Sequence, residues 1–247
     1  MSSTDPTPEQ LEQERKSKGL TGLLESKKPN EPFEKYRSDI KDHYDGFAGA
    51  LTKVTGFLTG HEALAGRLIR PKAFDVRGCK SILDAACGNG RYSKFLLRHA
   101  DEDASLTCFD LSPQMIVRAR ARLKSDRVTY AVADMTKLPY KDNAFDAAVC
   151  GWALEHLPDP REGLREFARV IQPEGKFLLL CTEDTFTGAM CSRLWHCRTY
   201  NRQELRKLCE EAGFRWEREL WFSRVHKWLK LGGIIVELRR ESVTPAP

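Results

Sequence analysis

The sequence predicts an α/β fold in which helices cover both faces of a mostly parallel sheet. From Lys80 onward, short apolar runs alternate with segments of helical periodicity, which is typical of strands joined by helical crossovers. One run, residues 177–181, is apolar throughout, as expected of a strand buried on both faces. A Gly-x-Gly turn at Gly88 and Gly90 joins the first strand to the first of these helices. We therefore expect a single α/β domain over residues 76–245.

The residues before this domain divide into two parts. Residues 1–32 contain four prolines and no aromatic residue, so they cannot bury enough surface to offset their ordering entropy, and we predict a disordered tail. Residues 33–75 are predicted to form a helical lead-in that caps the domain, and Pro71 ends it. Its apolar stripe falls at helical spacing on Tyr36, Ile40, Tyr44 and Phe47.

Five predicted strands then alternate with three predicted helices. The second helix has Ser112 as a favourable N-cap and Pro113 at its first position. A turn at residues 173–175 separates the third helix from the fifth strand. The strands are predicted at residues 81–86, 105–111, 128–134, 145–152 and 176–182, and the helices at residues 91–99, 113–124 and 159–171.

The C-terminal part begins with an insertion at residues 183–200, which lies at the rim of the sheet and suits a substrate lid or a plain surface loop. Asn201 and Glu204 form a capping box for the next helix, and Gly213 fits the position after its end. The last two strands, at residues 214–222 and 233–240, are too close for a helical crossover, so they should be antiparallel.

Composition excludes several classes of protein. The 247-residue chain has a mean hydropathy of −0.50 and no run of 18 apolar residues, which excludes a membrane-spanning helix. The polar N-terminus excludes a secretory signal, so we expect a cytoplasmic protein. The eight cysteines resemble small buried hydrophobes, and the spacing of Cys191 and Cys197 is not usual for zinc, so we expect no metal. A diffuse net charge of +5 gives no reason to expect nucleic-acid binding.

Three acidic residues fall at the carboxyl ends of three successive predicted strands, where open α/β sheets bind ligands. These are Asp84, Asp110 and Asp134. Asp110 lies twenty residues after Gly90, which suits a carboxylate that accepts both ribose hydroxyls of an adenosine. Asp134 can accept from an adenine amino group, with Met115 and Met135 on the faces of the ring. Each acid alone also fits a helix cap or a turn.

A nicotinamide dinucleotide is the main alternative ligand for this pattern. If Gly88 and Gly90 are the first two glycines of a dinucleotide fingerprint, the third position falls on Ser93. Asp84 is a second obstacle, because an acid that points into the site repels a pyrophosphate. The same acid favours a ligand that carries an ammonium and a sulfonium group.

The chain resembles class I S-adenosylmethionine-dependent methyltransferases of the methyltransferase-11 or ubiquinone/menaquinone type. The similar motifs are Asp84-x-x-Cys-Gly88-x-Gly90, Asp110-Leu111-Ser112, Ala133-Asp134-Met135, Phe145-Asp146, Arg169-Val170-Ile171-x-Pro173-x-Gly175 and Glu211-Ala212-Gly213-Phe214. The resemblance covers about residues 76–222. Two residues replace the family's usual glycines: Ala86, which is small enough to be tolerated, and Glu174, which we expect to be neutral.

This resemblance implies a Rossmann-like seven-stranded sheet with an antiparallel last strand, and S-adenosyl-L-methionine as cofactor, with S-adenosyl-L-homocysteine as product. Asp84 would lie near the methionine ammonium, Asp110 at the ribose, and Asp134 at the adenine. Tyr44 would belong to a helix that folds over the methionine end. The full set of implied cofactor residues is Tyr44, Asp84, Cys87, Gly88, Asn89, Gly90, Asp110, Leu111, Met115, Asp134, Met135 and Gly151.

The acceptor side is less clearly marked. His156 is the first candidate for a general base and Glu155 the second, although a structural His that caps the turn is the stronger interpretation of His156. Candidate acceptor contacts are Trp152, Trp195 and His196, with Trp228 in a predicted hairpin at residues 222–231. Basic residues beside Trp228 suit a peripheral membrane contact, a lipid-like substrate or an ordinary solvated hairpin.

The predicted function is methyl transfer to a small-molecule or lipid-like acceptor of quinone, phospholipid or phenolic type. Two alternatives remain. The first is a catalytically silent cofactor-binding partner subunit, and the second is an NAD-dependent oxidoreductase.

Overall fold

The structure is a computed structural model, and it describes residues 61–195, 197–229 and 231–242. Within these ranges it contains a seven-stranded sheet and seven helices. The strands are β1 (Ser81–Ala85), β2 (Ser105–Asp110), β3 (Val128–Val132), β4 (Phe145–Gly151), β5 (Ile171–Cys181), β6 (Phe214–Glu219) and β7 (Ile234–Arg240). The helices are α1 (His61–Leu68), α2 (Arg91–His99), α3 (Pro113–Leu123), α4 (Pro160–Val170), α5 (Phe186–Trp195), α6 (Arg202–Glu211) and α7 (Arg224–Leu229).

The strands lie in the order β3-β2-β1-β4-β5-β7-β6. β1 to β5 pair in parallel, and β7 lies antiparallel between β5 and β6. This confirms the predicted α/β class with an antiparallel last strand. Because β6 runs in the same direction as β5, the carboxyl ends of β1 to β6 meet at one edge, which we call the carboxyl edge.

The core has one apolar layer on each face of the sheet. In β5, Phe177 and Leu179 join the layer beneath α4 and α6, whereas Leu178 and Leu180 join the layer beneath α1 and α2. All four side chains are fully buried. Burying a side chain of this size contributes about 1.5–3 kcal/mol, so this one strand stabilises both halves of the domain.

Local signals placed several helix ends correctly. The Ser112 hydroxyl accepts from the Met115 amide at 3.1 Å, which caps α3 as predicted. The Asn201 side chain accepts from the Glu204 amide at 2.8 Å and caps α6. Gly213 follows α6 with a φ of +88°, the left-handed conformation that a helix stop requires.

Three predictions about connections need correction. The predicted turn at 173–175 lies inside β5, where residues between Ile171 and Lys176 bulge out opposite one β4 residue. The predicted hairpin at 222–231 contains α7, and β6 ends three residues earlier than predicted, because chain reversal occurs through this helix. The insertion at 183–200 is mostly helical, since it contains α5. Most of the predicted lead-in and tail falls outside the described residues.

The backbone conformation at Glu174 predicts a cost in stability for this replacement, whereas we expected it to be neutral. Glu174 has a φ of +62° and Ala86 a φ of +50°, so both residues at the two replaced glycine positions are left-handed. A residue with a Cβ atom loses about 1–2 kcal/mol of stability in this conformation. Glycine avoids that loss, but its greater conformational entropy in the unfolded chain offsets part of the gain.

We therefore expect Ala86→Gly and Glu174→Gly each to raise the free energy of unfolding by about 0.5–1 kcal/mol. Urea denaturation measures the change. Ala100→Gly is the matched control, because Ala100 has an ordinary φ of −72° and should lose stability on the same change. A loss of stability in all three variants would contradict the interpretation.

Candidate active site

The loop after β1 is built from residues in the left-handed conformation. Gly88 and Gly90 have φ angles of +53° and +77°, and the Cys87 amide donates to the Phe109 carbonyl at 2.9 Å. A Cβ placed on Gly88 would meet no atom within 4 Å, so the space beside this loop is open. The loop therefore presents backbone to an open region at the carboxyl edge and leads directly into α2.

Asp84 lies in β1 just before this loop and is only 1% exposed. The Ser93 hydroxyl of α2 donates to its Oδ2 atom. Its Oδ1 atom is buried, and no described residue hydrogen-bonds to it. Burial raises the pKa of Asp84 to about 7, because a carboxylate is poorly solvated in this position. A cationic group brought beside Oδ1 would reverse this effect.

Asp110 ends β2 and connects the loop to α3. Its carboxylate accepts from the Gly88 amide at 2.8 Å and from the Ser112 amide at 2.9 Å. Val132 pairs with Asp110 at the end of β3 and is 55% exposed, so apolar surface lies beside this carboxylate. No local sequence pattern indicates Val132, because the exposure of a strand residue depends on what covers it.

Asp134 lies two residues beyond β3 and organises a tight turn. Its Oδ1 atom accepts from the Thr136 amide and the Thr136 hydroxyl, both at 2.9 Å. The rest of this loop is fixed by α4, because Glu166 accepts from the Leu138 amide at 2.6 Å and Arg169 donates to the Leu138 carbonyl at 2.9 Å. Arg169 belongs to a motif recognisable in the sequence, whereas no sequence pattern indicates Glu166.

The structure thus brings the three predicted acids to one edge, beside the glycine loop. The other predicted cofactor residues near them are Cys87 and Met115, which are buried, and Asn89, Leu111 and Met135, which are partly buried. The Asn89 side chain accepts from Arg122 at 3.4 Å. Tyr44 falls outside the described residues.

Gly151 ends β4 next to α2, and Trp152 follows it. A Cβ on Gly151 would come within 2.5 Å of the Tyr92 ring, so glycine allows this ring to pack against the strand. Trp152 has a φ of +52°, an outlier for a bulky side chain, and its ring stacks on Phe222 at a centroid distance of 6.2 Å. Strained residues of this kind concentrate at functional sites. Tyr92 and Phe222 were not predicted.

Glu155 and His156 lie in a short 3-10 turn at Leu154–His156. Glu155 is 2% exposed, and its carboxylate accepts from the Thr182 hydroxyl at 2.5 Å and from the Thr182 amide at 3.2 Å. The Glu155 carbonyl also accepts from the Arg198 amide at 3.0 Å. Glu155 therefore joins the end of β4 to the end of β5, and His156 is partly buried beside it.

Arg202 links the two segments at the rim, a role that no local sequence pattern indicates. Arg202, the first residue of α6, donates to Glu183 at 2.7 and 2.9 Å and forms an ion pair with Glu219 at 2.8 Å. Its guanidinium also lies 4.8 Å from the Trp221 ring centroid. Glu183 precedes α5, and Glu219 and Trp221 precede α7, so one cation holds the bases of both segments.

The predicted acceptor residues occupy different parts of this rim. Trp195 ends α5 and is partly buried, and Trp228 lies on α7 with 82% of its surface exposed. His196 falls outside the described residues. The aromatic contacts of Trp152 run instead through Phe222 to His226, whose ring meets Phe222 edge-on at 5.6 Å.

Residues 83–179 match the methyltransferase-domain family Methyltransf_11. The chain carries a class I S-adenosylmethionine-dependent methyltransferase domain. The matched region contains the glycine loop and all three acids of the carboxyl edge.

The demethylmenaquinone methyltransferase of Clavibacter sepedonicus is 30% identical over 155 residues, which cover 62% of this chain and 59% of that relative. The chain therefore spans little more than half the length of that protein.

Two solved structures share the fold of this methyltransferase domain. One is the protein bound to the Trm112 methyltransferase activator of Haloferax volcanii, with a TM-score of 0.67, 19% identity and coverage of 84% of this chain and 100% of that one. The other is the N-methyltransferase NodS of Bradyrhizobium japonicum WM9 with S-adenosyl-L-homocysteine, with a TM-score of 0.62, 15% identity and coverage of 84% and 99%.

Proposed function

We propose that the whole protein transfers the methyl group of S-adenosylmethionine to a small-molecule or lipid-like acceptor of quinone type. One observation at the carboxyl edge carries the proposal. The buried Oδ1 atom of Asp84 accepts no hydrogen bond from a described residue, and Asp84 lies in β1, which pairs with β2, the strand that contains Asp110. The quinone preference rests on the name of the Clavibacter relative. All eight cysteines are free thiols, which favours a reducing compartment such as the cytoplasm.

The residues present fit this cofactor. The buried Oδ1 of Asp84 offers an acceptor to the methionine ammonium, and the open space beside Gly88 gives room for the chain of the ligand. Asp110 would hold the ribose hydroxyls, since its carboxylate lies at the carboxyl edge, directly beside the glycine loop. Val132 and Met115 would supply apolar contacts to the adenine, with Asp134 at its amino group.

Methyl transfer from a sulfonium needs the protein mainly to align the acceptor with the methyl group. When bound, the sulfonium supplies an activated methyl group for an in-line displacement, so the chain mainly orients the acceptor and excludes water. Glu155 acts as a positioning residue for the end of β4, because its carboxylate accepts hydrogen bonds from the Thr182 amide and hydroxyl. His156 remains our candidate for removing an acceptor proton, where the acceptor has one to lose.

Calorimetric titration with S-adenosylhomocysteine tests the cofactor assignment. We expect Asp110→Asn to weaken binding by about 1–3 kcal/mol, because an amide replaces acceptor positions that the ribose hydroxyls need. Asp126→Asn is the matched control, since Asp126 is exposed at the opposite edge. Unchanged affinity of Asp110→Asn would refute the ribose role, and binding of NADH instead of S-adenosylhomocysteine would favour the oxidoreductase alternative.

Transfer from tritiated S-adenosylmethionine to quinone, phospholipid and phenolic fractions tests the acceptor. We expect label in the quinone fraction, and loss of that label in His156→Ala if the acceptor needs a base. Label in another fraction would overturn the quinone assignment but keep the activity. Tight S-adenosylhomocysteine binding without transfer to any fraction would favour the silent-subunit alternative.

A further inference from the structure

Two helices at the carboxyl edge leave large apolar side chains in water. On α5, Phe186 is 61% exposed and Met190 is 54% exposed, and their spacing of four residues puts them on one helical face. On α7, Val225, Trp228 and Leu229 are 61%, 82% and 47% exposed and also share one face. These five are most of the exposed large hydrophobic residues in the described part of the chain.

The same segments carry charge of one sign. Residues 185–200 and 220–236 contain five Arg or Lys residues and no Asp or Glu, an excess equal to the net charge of the whole chain. Arg193, Arg224 and Lys227 are exposed, and none of them is in an ion pair with another described residue. Arg198 differs, because Glu204 neutralises it at 2.6 Å.

The segments are anchored at their bases while their apolar faces remain open. Arg202 ties both bases together through Glu183 and Glu219. Phe222, which precedes α7, is 4% exposed and stacks on Trp152. The Ser223 hydroxyl lies 2.7 Å from His226 Nδ1 at the start of the helix. The exposure of Trp228 thus belongs to a fixed element of the fold.

We propose that this rim surface, formed by Phe186, Met190, Val225, Trp228 and Leu229 with Arg193, Arg224 and Lys227, binds an anionic lipid bilayer. Tryptophan and aliphatic side chains enter the interface between headgroups and acyl chains, and the flanking cations attract anionic headgroups. A protein partner would need a complementary acidic face. The chain's own first 60 residues contain nearly equal numbers of acidic and basic residues, so their sequence has no excess of negative charge to match this surface.

The contact would be peripheral. Among the described helices, none has the length and apolar character needed to cross a bilayer. The rim surface lies at the same edge as Asp84, Asp110 and Asp134, so binding would bring the candidate active site toward lipid. The inference stands apart from the proposed function, because its test needs neither cofactor nor acceptor.

Co-sedimentation of the full chain with vesicles measures the contact. We expect binding to vesicles of phosphatidylcholine with phosphatidylglycerol, weakening with added salt, and little binding to phosphatidylcholine alone. Arg224→Gln and Lys227→Gln should each lower the partition coefficient about fivefold. Lys141→Gln is the matched control, because Lys141 is exposed near the amino end of β4 and should have no effect.

Fluorescence gives an independent readout for Trp228. We expect brominated lipids to quench the full chain, and Trp228→Phe to lose most of that quenching. Val117→Ser is the apolar control, since Val117 is 60% exposed on α3. Absence of vesicle binding, or binding unaffected by the Trp228, Arg224 and Lys227 changes, would overturn the proposal. So would a Trp228 signal already shielded from acrylamide without lipid, because another part of the chain or a second copy would then cover the surface.

Discussion

Asp84→Asn is expected to weaken S-adenosylhomocysteine binding by about 3 kcal/mol at pH 8, or roughly a hundredfold. The change removes the buried negative charge but leaves the shape of the side chain, so the ligand ammonium loses its counter-ion. The same variant should be more stable than the parent without ligand. Burial raises the pKa of Asp84 to about 7, so ionisation in the folded state costs up to about 4 kcal/mol that an amide does not pay.

The raised pKa of Asp84 makes both the stability of the free protein and its affinity for the ligand depend on pH. In the free folded protein Asp84 keeps its proton up to about pH 7, whereas in the unfolded chain it loses the proton near pH 4. Between those values the folded state binds one proton more, so the free energy of unfolding falls as the pH rises. Ligand affinity should move the opposite way, rising up to tenfold per pH unit and levelling above pH 7. Calorimetry in buffers of different ionisation enthalpy would detect the released proton.

Ser93→Ala sharpens this test, because the Ser93 hydroxyl donates to Asp84 and lowers its pKa. Its loss should move the midpoint of the affinity profile to higher pH while the carboxylate remains. An affinity profile that is flat from pH 5 to 8 in the parent chain would contradict a role for Asp84 at the ammonium.

Arg202→Ala is expected to lower the free energy of unfolding by about 3–5 kcal/mol. Arg202 forms ion pairs with Glu183 and Glu219 and lies against Trp221. Glu183 is only 9% exposed, so removal of the cation leaves a buried carboxylate without its partner. Urea denaturation measures the loss. In Arg202→Ala, methyl transfer to the acceptor should fall by a larger factor than S-adenosylhomocysteine affinity. The reason is that the rim segments lose their ion pairs, whereas the contacts of the glycine loop are unchanged.

Arg206→Ala is the matched control for this change. Arg206 lies one turn along α6 and pairs with Glu210 at 2.8 Å, but both side chains are more than half exposed. Such pairs contribute well under 1 kcal/mol, so stability should barely change. Equal losses in the two variants would show that Arg202 is an ordinary surface residue. Arg202→Lys should restore only part of the stability, since an ammonium cannot reproduce the planar contacts.

Much of the candidate site followed from local chemistry. The glycine loop and the acids at strand ends were predictable, because parallel strands bring their carboxyl ends together whatever the details of packing. Other contacts were not predictable. In the sequence Ser93 is only a position without glycine, yet its hydroxyl is the partner of Asp84. The sequence offers Glu155 as a candidate base, whereas in the structure its carboxylate accepts a hydrogen bond from Thr182 of the next strand.

The α/β class, the boundaries of α2 and the caps of α3 and α6 were all predictable from local patterns, since they depend on residues within a few positions of one another. Three other features became visible only once the chain was folded: the position of β7 between β5 and β6, the buried Asp84 oxygen without a hydrogen bond from a described residue, and the two ion pairs of Arg202. The exposure of Trp228 is a fourth. The exposure of a side chain, its ion-pair partners and the order of strands depend on residues that are distant in the chain. A local sequence pattern does not show which of these residues come into contact.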